Sequence, residues 1–258
     1  MVIRRIREHV AAQNWFAVGV DLAIVVIGVF FGLQANNWNE ARIERDNGLA
    51  YRARLIEDLR SNEADMRARA AFYGAVRHHA ASALAALDRP SDDLGGALLI
   101  DAVQAAQTWP KSLKRFTYDE ILSAGEAERL GSPSLRAKID NFYVGAAVAG
   151  SFLASDSLYR DRLRRIMPYA VQRQIAFRCA NRFSANADYD LFVTLAPTCD
   201  LDLDPEAIRD AVAQIRATSE IKLDLTRHLV DLDLKLAAFK IVEGRARGLR
   251  EIIAAQPE

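Results

Sequence analysis

The chain has 258 residues with 34 basic and 34 acidic side chains, so it carries no net charge at neutral pH. A balanced surface lacks the electrostatic footprint of a nucleic-acid binder, and no nucleic-acid partner is expected. Half of the residues are hydrophobic, ample for one sizeable core, and the two cysteines, with no His nearby, cannot form a zinc site.

Residues 1–14 form a short flank containing Arg4, Arg5 and Arg7. Between Trp15 and Trp38 follows FAVGVDLAIVVIGVFFGL, apolar or Gly throughout except for Asp21. At about 1.5 Å per helical residue the two tryptophans stand roughly 34 Å apart, enough to bracket a hydrocarbon core of about 30 Å. Indole rings favour that boundary. The run is long for a cleaved signal peptide, and Leu33–Asn37 offers no small-x-small cleavage site, so residues 15–38 read as an uncleaved signal-anchor in the lipid bilayer. Arg42, Arg45, Arg52 and Arg54 beyond the span nearly balance the N-terminal arginines. The compact basic flank of a first helix stays inside, which places the N-terminus in the bacterial cytoplasm and residues 39–258 in the periplasm.

Within the span, steps of four and three residues put Asp21, Val25, Gly28, Gly32 and Ala35 on one stripe. Gly28 and Gly32 have the small-xxx-small spacing that lets helix backbones approach closely. Two readings stand side by side. The stripe packs on a second copy or on a partner's membrane helix, or Asp21 lies shallow enough to be hydrated and the glycines are incidental.

From Leu49 to Leu87 there is no Pro, and apolar residues recur at helical spacing through Leu55, Leu59, Met66, Tyr73, Val76 and Ala80, with Asn62 interrupting the stripe. The span is expected to continue into this helix with an irregularity near Asn47-Gly48. Arg89-Pro90-Ser91-Asp92-Asp93 breaks it, and a shorter helix runs from Ala97 to Gln107. Thr117 and Glu120 have the spacing of a capping box, with Phe116 and Ile121 as its hydrophobic staple and Gly125 as the stop. Ser132-Pro133 opens the next helix, whose core face is Leu135, Ile139, Phe142, Ala146, Ala149 and Leu153, and Pro168 is expected to end or kink it.

The charge then changes sign. Seven arginines and one acid lie between Arg160 and Arg182; seven acids and one base lie between Asp188 and Asp210. Arg160, Arg162, Arg164 and Arg165 are candidates for an anion-binding patch, but oppositely charged neighbours usually neutralise each other, and that reading is favoured. Cys179 and Cys199 flank the junction and are expected to form a disulfide in an oxidising periplasm. Asp200-Leu201-Asp202-Leu203-Asp204 lacks the Gly and Glu of a calcium loop; Asp204 instead reads as an N-cap before Pro205, with Leu203 and Ile208 as its staple. Leu229 to Leu236 alternates almost like a strand. Length and the stripe Leu225, Leu229, Leu232, Leu236, Phe239 and Ala246 favour one uninterrupted helix over Ala207–Ala255. The expected fold is all-α: one transmembrane helix followed by an antiparallel helical bundle.

Three stretches, IVVIGVFFGLQANNWNEARIERD (24–46), YRARLIEDL (51–59) and TYDEILSAGEAERL with LRAKIDNFY (117–143), resemble an uncharacterised family of single-span bacterial inner-membrane proteins. The resemblance implies an acidic residue early in the span, here Asp21, and a membrane-exit motif, here Asn36, Asn37, Trp38, Asn39 and Glu40. It implies no activity, and the segment from Arg160 to Cys199 lies outside it.

No nucleophile elbow, phosphate loop or HExxH sequence occurs, and adjacent His78 and His79 point to different faces of a helix. No enzymatic activity, cofactor or metal is expected. The sequence reads as a membrane-anchored structural or interaction protein, an accessory or scaffold subunit partnered by a membrane protein or by its own copy. The alternative is a periplasmic ligand-sensing bundle that signals through a partner.

Overall fold

The computed structural model describes residues 15–89, 95–110, 112–153, 157–187, 190–196 and 199–256. The basic flank Arg4, Arg5 and Arg7, the loop residues Pro90–Asp93, and the side chains of Trp15, Asp21 and Leu153 lie outside the described residues. The chain divides into two units, Met1–Tyr51 and Arg52–Glu258.

Helix α1, Trp15–Leu87, begins in the first unit and ends in the second, and it is α-helical through Asn47-Gly48, where the sequence suggested an irregularity. Among the described residues it is the one helix long and apolar enough to cross a membrane. Its side chains from Leu22 to Leu33 are exposed all round, including Val25, Ile27, Val29 and Phe31. A surface apolar on every side is the pattern of a helix that faces lipid or another helix rather than water.

In the second unit the elements are α2 (Gly96–Ala105), α3 (Phe116–Ser123), a short 3₁₀ turn (Ala127–Leu130), α4 (Pro133–Leu153), α5 (Leu158–Ile166), α6 (Tyr169–Arg178), strands β1 (Arg182–Ala185) and β2 (Leu191–Thr194), α7 (Pro205–Ala217) and α8 (Ser219–Ala254). The fold is all-α apart from the hairpin. The C-terminal half of α1 runs antiparallel to α8, shown by four ion pairs in order: Glu63 with Arg250, Arg67 with Glu243, Arg77 with Asp233 and Asp88 with Lys222. Mostly exposed, these pairs set register more than they add stability. The core beneath them comes from the helical stripes of both partners, Leu55, Leu59, Met66 and Val76 against Leu225, Leu232, Phe239 and Ala246, all buried. Arg216 of α7 closes the end of α1, its Nη2 donating to Ala86 O at 3.1 Å and Arg89 O at 2.6 Å, which satisfies terminal carbonyls.

Helices α4 and α5 both pack on α8. Arg245 of α8 crosses α4 at Gly145, where a Cβ would stand 2.6 Å from its Nη1, and donates to Asn141 O at 2.9 Å. A side chain at 145 would push the Arg245 guanidinium aside. Helix starts follow local chemistry in three places. Ser132 Oγ accepts from Leu135 N at 3.2 Å, Ser157 Oγ from Arg160 N at 3.4 Å, and Asp204 Oδ1 from Glu206 N at 2.8 Å with Pro205 at the first helical position. Gly125, with φ 70°, ends α3 as Glu126 N donates to Ile121 O.

The structure corrects three further expectations. The capping box at Thr117 and Glu120 does not form. Helix α3 starts two residues earlier, at Phe116 with Arg115 at the N-cap; Thr117 N donates to Asp58 Oδ2 of α1 at 3.2 Å, and Glu120 takes a bidentate bond from Arg54 at 2.8 and 3.0 Å. Phe116, 76% exposed, is no staple. Helix α4 ends at Leu153, well before Pro168, which instead stands at the N-cap of α6. The C-terminal helix is two helices, broken at Thr218 in extended backbone (φ −89°, ψ 94°), its hydroxyl donating to Gln214 O at 2.9 Å. Residues 182–194 form a hairpin that the sequence did not announce, β1 pairing antiparallel with β2 in register Arg182↔Thr194 to Ala185↔Leu191. The hairpin is fastened at its turn by Asp190, 7% exposed, which accepts from Ser61 Oγ (2.7 Å) and pairs with Lys114 Nζ (2.9 Å). Burial works to raise the Asp190 pKa, but bonds from Lys114, Ser61 and Asn186 outweigh it and hold the carboxyl below its usual range.

Candidate functional site

The residues singled out from sequence fall in separate places. Val25, Gly28, Gly32 and Ala35 share one face of α1 by their spacing, and a Cβ at Gly28 or Gly32 would meet nothing within 4 Å, so the face is open to another helix. In the stretch 36–40, expected to mark a membrane exit, Asn36 Nδ2 donates to Glu40 Oε1 at 2.8 Å, one helical turn along, while Asn37, Trp38 and Asn39 are exposed.

The four candidate anion-binding arginines do not converge. On α5, Arg160 and Arg164 lie on one face, and Arg162 and Arg165 on another. Arg162 is spoken for, its Nε bonding Asp224 Oδ2 of α8 at 2.5 Å, a bond that raises its pKa. Of the acidic segment, Asp202 pairs with Arg178 at 2.9 Å, so mutual neutralisation operates across this junction at one point. Cys179 and Cys199 are joined there as a disulfide, their Cα atoms 5.2 Å apart.

His228 is interior, 6% exposed. Its Nε2 donates to Ala105 O at 2.9 Å, its Nδ1 meets Ser157 Oγ at 3.0 Å, and its ring stacks on Tyr159. Burial lowers its pKa, helped by Lys235, against the Ala105 bond and Asp231. The neutral ring is therefore a tie between α2, α5 and α8. Tyr159 adds to it by donating to Ala102 O at 2.9 Å.

One concavity in the second unit was not foreseen. It is a cavity of about 500 Å³ between the middle of α1, the loop after α2, α4 and α8. The loop is tied to α1 by Asn62, 1% exposed, whose amide exchanges two bonds with the Lys114 backbone, both 2.8 Å. Trp109 N donates to Tyr73 Oη at 3.1 Å, which sets the indole beside α1. Tyr73 and Phe239 stack with centroids 5.4 Å apart. On the opposite wall α4 contributes small residues, Ala146, Ala147, Ala149 and Gly150.

Polar groups at this cavity are few. Arg69, 5% exposed, lies 3.1 Å from Asp65 Oδ2 and 5.8 Å from the centre of the Trp109 ring; burial lowers its pKa while Asp65 raises it. Arg115 is bound to Asp119 at 2.7 to 2.9 Å. Tyr118 stacks on Tyr143 at 4.3 Å and donates to Asp140 at 3.0 Å; burial first, then that carboxylate, pushes its pKa up to about 12. Tyr143 is 3% exposed and its hydroxyl has no hydrogen-bond partner among the described residues; burial pushes its pKa up. Among the described residues no group of three His, Cys, Asp or Glu is placed to hold a metal ion. The signals in sequence were Asn62 breaking an apolar stripe and Trp109-Pro110 ahead of a loop.

No family model matches the chain, and no solved structure resembles it significantly. A segment is similar to the cytidylate kinase of Rickettsia akari (strain Hartford), 33% identical over 100 residues that cover 34% of this chain and 45% of the kinase. The chain thus spans less than half of the curated relative it matches. A phosphate loop of the form Gly-x-x-x-x-Gly-Lys is absent from the sequence.

Proposed function

We propose that this chain is a membrane-anchored interaction protein, an accessory or scaffold subunit of a bacterial inner-membrane complex. Its N-terminus is cytoplasmic, α1 is its signal-anchor, and its helical bundle is periplasmic. One observation carries the reading: α8 has two apolar faces. The inner face is buried in the bundle. On the opposite side Leu223, Val230, Leu234 and Ile241 are each half or more exposed, at spacings of seven, four and seven residues that keep them in one line. A sustained apolar line on a bundle's outer surface marks a docking face for another helix. The exposed glycine face of α1 supports the same reading inside the bilayer, and the Cys179–Cys199 bond supports an oxidising compartment. The partner is a second copy or another membrane protein. The second reading, a ligand-sensing bundle that signals through a partner, is favoured by the cavity beside Trp109.

The test is gentle extraction of the tagged full chain in lipid nanodiscs, with identification of what copurifies and measurement of assembly size. Wild type is expected in an assembly larger than the monomer. A Leu234→Glu/Ile241→Glu chain is expected to be monomeric with unchanged helicity. Wild type recovered alone as a monomer overturns the proposal.

A further inference from the structure

The cavity between α1, α4 and α8 has the size of a small-molecule site, and pockets that hold drug-sized ligands span roughly 300–1,000 Å³. Four rings, Tyr73, Trp109, Tyr143 and Phe239, line it together with the short side chains of α4. Truncating that wall to Ala146, Ala147 and Gly150 leaves open a volume that larger side chains would fill. A Cβ built at Gly150 meets nothing within 4 Å.

Its charges point to one ligand class. Asp65 balances Arg69 and Asp119 balances Arg115, so among the described lining residues no uncompensated charge is offered to an anion. The ring faces that could hold a cationic guest already carry cations of the protein, Arg69 at Trp109 and Lys235 Nζ 5.6 Å from the centre of Tyr73. Among the phenols here, Tyr73 accepts from Trp109 N and Tyr118 donates to Asp140. Tyr143 is the exception: the residue lines the cavity, and its buried hydroxyl has no partner among the described residues. Buried polar groups are almost always satisfied, and one left open beside an apolar space is a waiting hydrogen-bond donor.

We infer that this cavity binds a neutral, ring-bearing, largely apolar small molecule whose carbonyl or hydroxyl oxygen accepts a hydrogen bond from Tyr143. The rings of Tyr73, Trp109 and Phe239 take the ligand body, and Tyr143 fixes its orientation. A role for the ligand in signalling rests on the sensing reading above; its binding does not.

The probe is prodan, a neutral naphthalene ketone, titrated into the full chain in nanodiscs. Trp15 and Trp38 are changed to Phe so that Trp109 is the sole indole donor. Saturable energy transfer from Trp109 to prodan is expected, with a blue-shifted emission. Gly150→Leu, which fills open space and raises helix propensity, is expected to weaken binding at least tenfold. Tyr143→Phe, which removes only an unpartnered hydroxyl, is expected to weaken it roughly fivefold to tenfold. Melting temperatures of both variants, at or above that of wild type, establish that they fold. Equal transfer in wild type and Gly150→Leu, as from dye dissolved in lipid, overturns the site. The anionic dye anilinonaphthalene sulfonate binding more tightly than prodan overturns the neutral class. Equal prodan affinity in Tyr143→Phe overturns the assigned hydrogen bond. None of these readings depends on assembly size, so failure of the scaffold proposal leaves them intact.

Discussion

Reducing the disulfide tests how the segment between α6 and α7 is held. Cys179 and Cys199 are 20 residues apart, and the hairpin lies between them. Closing a loop of that length removes about 11 cal/mol/K from the unfolded chain, about 3 kcal/mol at room temperature. For a bundle of this size each kcal/mol moves the melting temperature by about 2–4 °C, so a fall of roughly 6–12 °C is expected. The loss should be local in origin. Gln104 donates to Cys179 O, and Gln174 and Arg178 hold Asp202, so the reduced hairpin remains tied at its base but samples more open states. The assay is thermal unfolding by circular dichroism with and without reductant, with free thiols counted by mass spectrometry and hydrogen exchange read over residues 182–196. Complete reduction with a melting temperature changed by less than about 2 °C and unaltered exchange would refute the reasoning.

Three further outcomes follow from named side chains. Because burial depresses the His228 pKa below its ordinary 6.5, the stability of the neutral ring is fully present above that value and is lost as pH falls below it. Melting temperature should therefore decline from about pH 6.5 downward, more gently in His228→Phe, and equal slopes would remove His228 from the account. Asn62→Ala strands the Lys114 amide and carbonyl and should cost about 2 kcal/mol in urea unfolding; an unchanged midpoint would show that the loop is not held there. Asp190 has a depressed pKa, so its latch operates above the usual carboxylate range and is lost as pH falls through it; Asp190→Asn should raise amide exchange in β1 and β2 already at neutral pH.

What could be read from the sequence was what neighbouring residues decide among themselves. The 3.6-residue period gave the buried faces of α1, α4 and α8, and the caps at Ser132 and Asp204 and the stop at Gly125 lie where local chemistry puts them. What could not be read depends on partners far along the chain. The first turn of α3 is capped by Asp58, 59 residues away, so the local Thr117 signal was idle. The hairpin strands are four residues each, too short for periodicity, and are fixed by Ser61 and Lys114 through Asp190. The cavity is assembled from four segments, none carrying a motif of its own.

The alternation from Leu229 to Leu236 shows how a misleading pattern can hold information. Alternate apolar residues suggest a strand when one face is buried, yet in α8 they arise because two faces are apolar at once. Leu232 points into the core, Leu234 points out, and Leu225 and Ile241 repeat the two directions at larger spacing. A helix needs only its inner line to fold onto the bundle. Retaining leucine, valine and isoleucine along the outer line exposes apolar surface for which the fold itself has no use. If that line docks nothing, Leu223→Lys, Val230→Lys, Leu234→Glu and Ile241→Glu combined should leave stability and assembly unchanged while raising solubility. If it docks a helix, the same four changes should release the partner without altering the melting temperature of the isolated bundle fold by more than about 3 °C, since exposed positions contribute little to folding.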